Sequence, residues 1–131
     1  MEPYVAMPDT GIDFVMEGRV ETPELRGALA EALGVHDVEI VRAVPRMKGD
    51  QAAYAVVREV GGDFGTHVSL DPRGDLETVR AVSRALGMRA ITPDDDSDNP
   101  YAMVLVRPDG RTERVALQAE ALDERGEYRL L

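Results

Sequence analysis

Cysteine and tryptophan are absent from this 131-residue chain, lysine occurs once, as Lys48, and histidine twice, as His36 and His67. Each scarcity closes a class of chemistry. Without cysteine there is no disulfide framework, thiol redox couple, cysteine zinc site or cysteine nucleophile. With one lysine, a phosphate-binding loop has a single candidate, and Gly61-Gly62-Asp63-Phe64-Gly65, the glycine-richest stretch, fits neither GxxxxGK followed by Ser or Thr nor GxGxxG. It reads as a flexible hairpin loop. No apolar run approaches the roughly 18 residues of a membrane span, and MEPYVAMPDTGIDF carries acids where a signal peptide carries Lys or Arg. The expectation is a cytoplasmic protein with no membrane partner. Basic residues are also short: 25 Asp and Glu face 15 Lys and Arg, a formal net charge of −10 that repels nucleic acid.

What is present is an ordinary globular balance, 44% hydrophobic and 31% charged, in a length that suits one domain over 1–131. Two helices stand out. Thr22, Pro23 and Glu24 read as N-cap, first-turn proline and dipole-facing acid, and Leu25, Ala28, Leu29, Ala32 and Leu33 recur on one face up to Gly34. Asp75 opens the second helix, in which Leu76, Val79, Val82 and Leu86 lead to Gly87.

Elsewhere the period falls to two, which predicts strands over Asp13–Gly18, Val38–Ala43, Ala52–Val60, Thr66–Leu70, Met88–Thr92, Tyr101–Arg107 and Thr112–Gln118, with a possible last one over Glu127–Leu131. Arg107-Pro108-Asp109-Gly110-Arg111 reads as a hairpin turn, and Tyr101–Arg107 is apolar on both faces, as a central strand would be. These elements predict an α+β fold: a mixed or mostly antiparallel sheet of five to eight strands with two amphipathic helices packed on one face. Ala28–Gly34 matches Ala81–Gly87 in pattern at a spacing of 53, so the order is compatible with one β-α-β-β unit used twice, or with two helices that merely end alike.

No catalytic constellation stands out. His36 follows the first helix, where a cation suits the dipole. His67 and Ser69 share one face of a strand, roughly 7 Å apart by strand rise, too far for a base and nucleophile to bond directly. Neither Ser69, Ser83 nor Ser97 lies in a Gly-x-Ser-x-Gly elbow. No pattern asks for a cofactor. The densest feature is Pro93-Asp94-Asp95-Asp96-Ser97-Asp98-Asn99-Pro100. Asp94, Asp96 and Asp98 match the first three ligand positions of an EF-hand loop, but Asn99 stands where its glycine belongs and Leu105 where its closing glutamate belongs, so no metal site is assigned. Two readings remain: a solvated turn, or a contact surface for a basic partner, in which Asp94, Asp95, Asp96 and Asp98 supply the charge and Tyr101 the aromatic anchor. Phe64 and Tyr4 are further candidate anchors. Charge is uneven as well, with seven acids and two arginines from Met1 to Val35, and seven acids and four arginines from Asp71 to Pro100.

The stretch from Met88 through Asn99 into Tyr101–Gly110, then Leu122–Tyr128, resembles the small acidic immunity proteins that bacteria pair with secreted polymorphic toxins. The resemblance covers the C-terminal half and carries no site residues. It implies a non-enzymatic inhibitor that occludes a cationic toxin. Two other readings stay open: a small-ligand or enzymatic domain with a pocket near His67, and a structural homodimer formed through an edge strand such as Glu127–Leu131.

Overall fold

The computed structural model describes residues 11–41, 54–71 and 74–131. In chain order it has β1 (Ile12–Met16), α1 (Thr22–Leu33), β2 (Glu39–Val41), β3 (Tyr54–Glu59), β4 (Gly61–Gly62), β5 (Thr66–Asp71), α2 (Leu76–Leu86), β6 (Ala90–Pro93), β7 (Ala102–Val106), β8 (Thr112–Ala116), α3 (Ala119–Arg125) and β9 (Glu127–Tyr128). Seven strands form one mixed sheet in the order β2-β3-β5-β1-β6-β7-β8, and β4 pairs with β9 in a separate two-stranded ribbon. Only β2 and β3 run parallel within the large sheet; every other neighbouring pair is antiparallel. The fold is therefore α+β, as the sequence predicts. Residues 42, 43, 52 and 53 of the expected strands, and Tyr4, lie outside the described residues.

Local chemistry explains the helix boundaries. Helix α2 starts in a capping box: the Asp75 carboxylate accepts from Thr78 N–H at 3.1 Å, and Asp75 N–H donates to the Thr78 hydroxyl at 3.2 Å. Helix α1 begins one residue earlier than expected, because Leu25 N–H donates to the Glu21 carbonyl at 3.0 Å and closes the first turn there. Glu21, not Thr22, is the cap residue, and its side chain makes no capping bond. Both helices end at a left-handed glycine, Gly34 at φ 70° and Gly87 at φ 66°. That shared stop accounts for their matching ends. The sheet does not repeat a unit: after α1 the chain enters the edge strand β2 and pairs in parallel with β3, whereas after α2 it enters β6 beside β1 and continues antiparallel.

The sheet is covered on both faces. On one, Phe14, Met16, Val68, Leu70, Val57 and Ala90 pack with Leu25, Ala28 and Leu29 of α1 and with Val79 and Val82 of α2. On the other, Val15, Ile91, Met103 and Leu105 pack with Phe64 and Leu117, flanked by Leu122, Tyr128 and Leu130. Helix α3, seven residues long, was not expected. It carries the chain back over this second face.

The glycine-rich stretch is not a free hairpin loop. Gly61 and Gly62 pair with Glu127 and Tyr128, and Phe64 is 0% exposed, with the Arg89 guanidinium 5.7 Å from its ring centroid. This corrects the expectation that Phe64 is an exposed anchor: apolar side chains of the second core enclose it. The expected last strand is likewise shortened to β9, with Leu130 bridging to Leu117. The hairpin turn is as expected, with Gly110 N–H bonded to the Arg107 carbonyl at 2.8 Å and Gly110 at φ 93°. Phe64→Ala is expected to lower the unfolding free energy by about 3–5 kcal/mol in urea titration, where an exposed ring would cost within about 0.5 kcal/mol.

Candidate functional site

The acidic stretch forms the connection between β6 and β7, and it is internally braced. Asp94 is buried: one carboxylate oxygen accepts from Asp96 N–H at 3.1 Å and the other lies 3.5 Å from Arg114 Nε. Arg114 also approaches Asp96 at 3.8 Å. The Ser97 hydroxyl accepts from Asn99 N–H at 3.1 Å, and Asn99 Oδ1 from Tyr101 N–H at 3.0 Å. These side chain to backbone bonds are the turn chemistry that Asp, Ser and Asn favour. Asp95 and Asp98 are exposed. Among the described residues, the ion pairs of this loop run to Arg114 alone.

Beside the loop is a cavity of about 470 Å³. Asp94, Asp95 and Asp96 line one side, and Asp13 from β1 and Asp75 from the start of α2 line the other, with Ile12, Leu76 and Val104 among the apolar walls. Among the described residues, no arginine, lysine or histidine lines it. The positive end of the α2 dipole works against a cation here, and the Asp75 and Glu77 carboxylates offset it. Such a space suits a cationic group on an aliphatic stem: carboxylates for the head, apolar walls for the chain.

Of the five candidate contact residues, the cavity brings together Asp94, Asp95 and Asp96 and leaves Asp98 and Tyr101 outside. Tyr101 is half-buried against the second core, and its hydroxyl donates to Asp123 of α3 at 2.5 Å. That bond, first among its causes, raises the phenol above its ordinary value. Tyr101 thus ties the loop to α3. Asp13 and Asp75 were not recognisable as neighbours of the loop, because β1 and α2 reach it only through the sheet order. Among the described residues, no group of three or more His, Asp or Glu side chains is placed to hold a metal ion.

His36 is exposed beyond α1. His67 and Ser69 share a face, as the strand period predicts, and His67 is half-buried with its ring stacked on Tyr128, centroids 6.3 Å apart. Burial foremost, then the Arg58 charge, lowers its pKa from 6.5, while Asp13 opposes them. Glu17, held by Arg89 through a side-chain bond of 2.9 Å, sits below the usual carboxylate range, and burial followed by the Asp13 charge raises Asp71.

No known protein family, curated protein or solved structure matches the chain.

Two outcomes are expected. Asp94→Ala leaves the Asp96 N–H without its acceptor and Arg114 with Asp96 alone, and lowers stability by about 1–3 kcal/mol, whereas Asp95→Ala changes it by less than about 0.5 kcal/mol, as read by thermal and urea unfolding. For His67, the unfolded chain takes up a proton before the folded one does. Its contribution is therefore complete above the ordinary imidazole value of 6.5 and is lost as pH falls from there toward the lowered folded value. His67→Gln should flatten that part of the stability profile between neutral and mildly acid pH.

Proposed function

We propose that this protein is a non-enzymatic acidic binding protein that docks on a basic protein partner, in the manner of an immunity protein occluding a cationic toxin. One observation carries the reading: carboxylates from three separate elements, Asp13, Asp75 and Asp94 to Asp96, converge on one cavity that, among the described residues, no basic side chain lines. Like charges held together raise the energy of the free protein, and a cationic partner relieves it. Arg114 offsets the loop only in part, since it is shared between Asp94 and Asp96 and is 74% exposed. The acidic loop and the acids of α3, Glu120, Asp123 and Glu124, would speed encounter over a Debye length of about 8 Å at physiological salt. Desolvated contacts at the cavity would then hold the complex. Tyr101 enters as a positioning residue, because its hydroxyl is already engaged by Asp123.

The partner to test is the product of the reading frame beside this one, since inhibitors of this kind are encoded next to their targets. Association with it should slow as ionic strength rises. Changing Asp95, Asp96 and Asp98 together to Asn should slow it by about tenfold at low salt and remove most of the salt dependence. Asp94 is left intact so that folding is unaffected. Unchanged association rates would remove the loop from the mechanism.

A further inference from the structure

The segment that covers the second face reaches across the sheet as far as Tyr128, whose ring stacks on His67 of β5. Past that stack the same face turns polar. The strand period places Tyr54 and Arg58 of β3, His67, Ser69 and Asp71 of β5 and Asp13 of β1 on it. Register sets their order: Arg58 lies opposite His67, Ser69 lies between Val56 and Asp13, and Tyr54 lies opposite Asp71. Asp13 and Arg58 are exposed, and the other four are partly buried. Among the described residues, none of these six polar side chains makes a hydrogen bond or an ion pair. Arg58 differs in this from Arg19, Arg89 and Arg107, each of which holds a carboxylate.

The charges are also ordered. Arg58 stands at one end of the patch and Asp13 and Asp71 at the other, close enough that the Asp13 charge acts on both His67 and Asp71. With strands about 4.8 Å apart and a rise of about 3.4 Å per residue, the Cβ of Arg58 is roughly 12 Å from that of Asp13 and roughly 14 Å from that of Asp71. The arginine and aspartate side chains take up part of that span. What is left suits one or two residues of extended peptide, at about 3.3–3.6 Å each. Between the ends, Val56 is partly buried and gives an apolar floor, and the Tyr54 and Tyr128 rings stand at its sides. Burial keeps the His67 imidazole neutral, so its N–H can donate to an anion without bringing a second positive charge.

We propose that this face of β3, β5 and β1 binds a small zwitterion of the size of a dipeptide, its ammonium between Asp13 and Asp71 and its carboxylate on Arg58 and His67. Both charges are required. A dication would set one of its ends against Arg58, and a dianion would set one of its ends against two carboxylates. The site goes beyond the acidic-binding reading and uses none of Asp94 to Asp98.

The test uses the full chain and the dipeptide valylalanine, with its N-acetylated form, its C-amidated form and 1,4-diaminobutane as controls. Calorimetry reads affinity, and amide chemical shifts locate the ligand. Valylalanine should bind one to one at about 1 mM or tighter and move the signals of His67, Ser69 and Asp71, while blocking either end should weaken it by about tenfold or more. Arg58→Gln and Asp71→Asn should each weaken it to the same degree with unchanged thermal unfolding, since neither side chain holds another part of the fold. A bound carboxylate should also move the His67 titration to higher pH, an effect that Arg58→Gln reduces. No binding of valylalanine overturns the proposal, as does equal binding of its blocked forms. Binding of 1,4-diaminobutane that survives Arg58→Gln makes the carboxylates alone the site and overturns it too. Shifts confined to Asp94 to Asp98 place the ligand in the acidic cavity and sink this site while leaving the acidic-binding reading untouched.

Discussion

Strands β1, β6 and β7, inside this sheet, bury side chains on both of their faces. In β7, Met103 and Leu105 point one way and Val104 and Val106 the other, and in β1 Phe14, Val15 and Met16 are buried in succession. Both sides must therefore be covered. Fully burying each large side chain contributes about 1.5–3 kcal/mol, so leaving either face open would forfeit several such terms. Helices α1 and α2 cover one face, and Phe64 with the segment from Leu117 to Leu130 covers the other. That second covering has a steric condition at Gly62, where a Cβ would lie 2.7 Å from the Tyr128 backbone and φ is +100°. Asp63 completes the clamp, accepting from Leu130 N–H at 2.9 Å.

The same covering segment holds the acidic loop. Tyr101 packs into the second core and bonds to Asp123, so the loop is pinned at the end where it enters β7. Asp94 pins the other end through its buried carboxylate. What remains free to act on a partner is the charge carried between those two fixed points. Most of the arginines are paired with exposed carboxylates, as Arg19 is with Glu59 and Arg107 with Glu113. Pairs of that kind contribute little to stability, and they leave the acidic excess near the loop unanswered.

Helices α1 and α2 were legible because their signals are local: an apolar stripe, an acid that caps the next turn, a glycine that accepts the left-handed stop. Helix α3 was not, since seven residues span barely two turns and show no repeated stripe. The strands were legible by their period, with ends displaced by a residue or two. Phe64 looked exposed because three glycines and an aspartate surround it in the chain, and nothing local reveals that Tyr128 closes over it. For the site, the sequence displayed the acidic run itself but could not tell Asp94, which is structural, from Asp95 and Asp98, which face water.

Composition and periodicity alone determined that this chain folds as an α+β domain with a strong acidic excess, without thiol chemistry and with a concentrated acidic turn ahead of an apolar strand. Those properties are additive or local, so they survive being read one segment at a time. Which acids share a cavity and which aromatic is interior were decided only by the strand order β2-β3-β5-β1-β6-β7-β8. That order brings Asp13, Asp75 and the Asp94 turn together across long stretches of chain, and it follows from covering two apolar faces at once, a condition that no single segment carries.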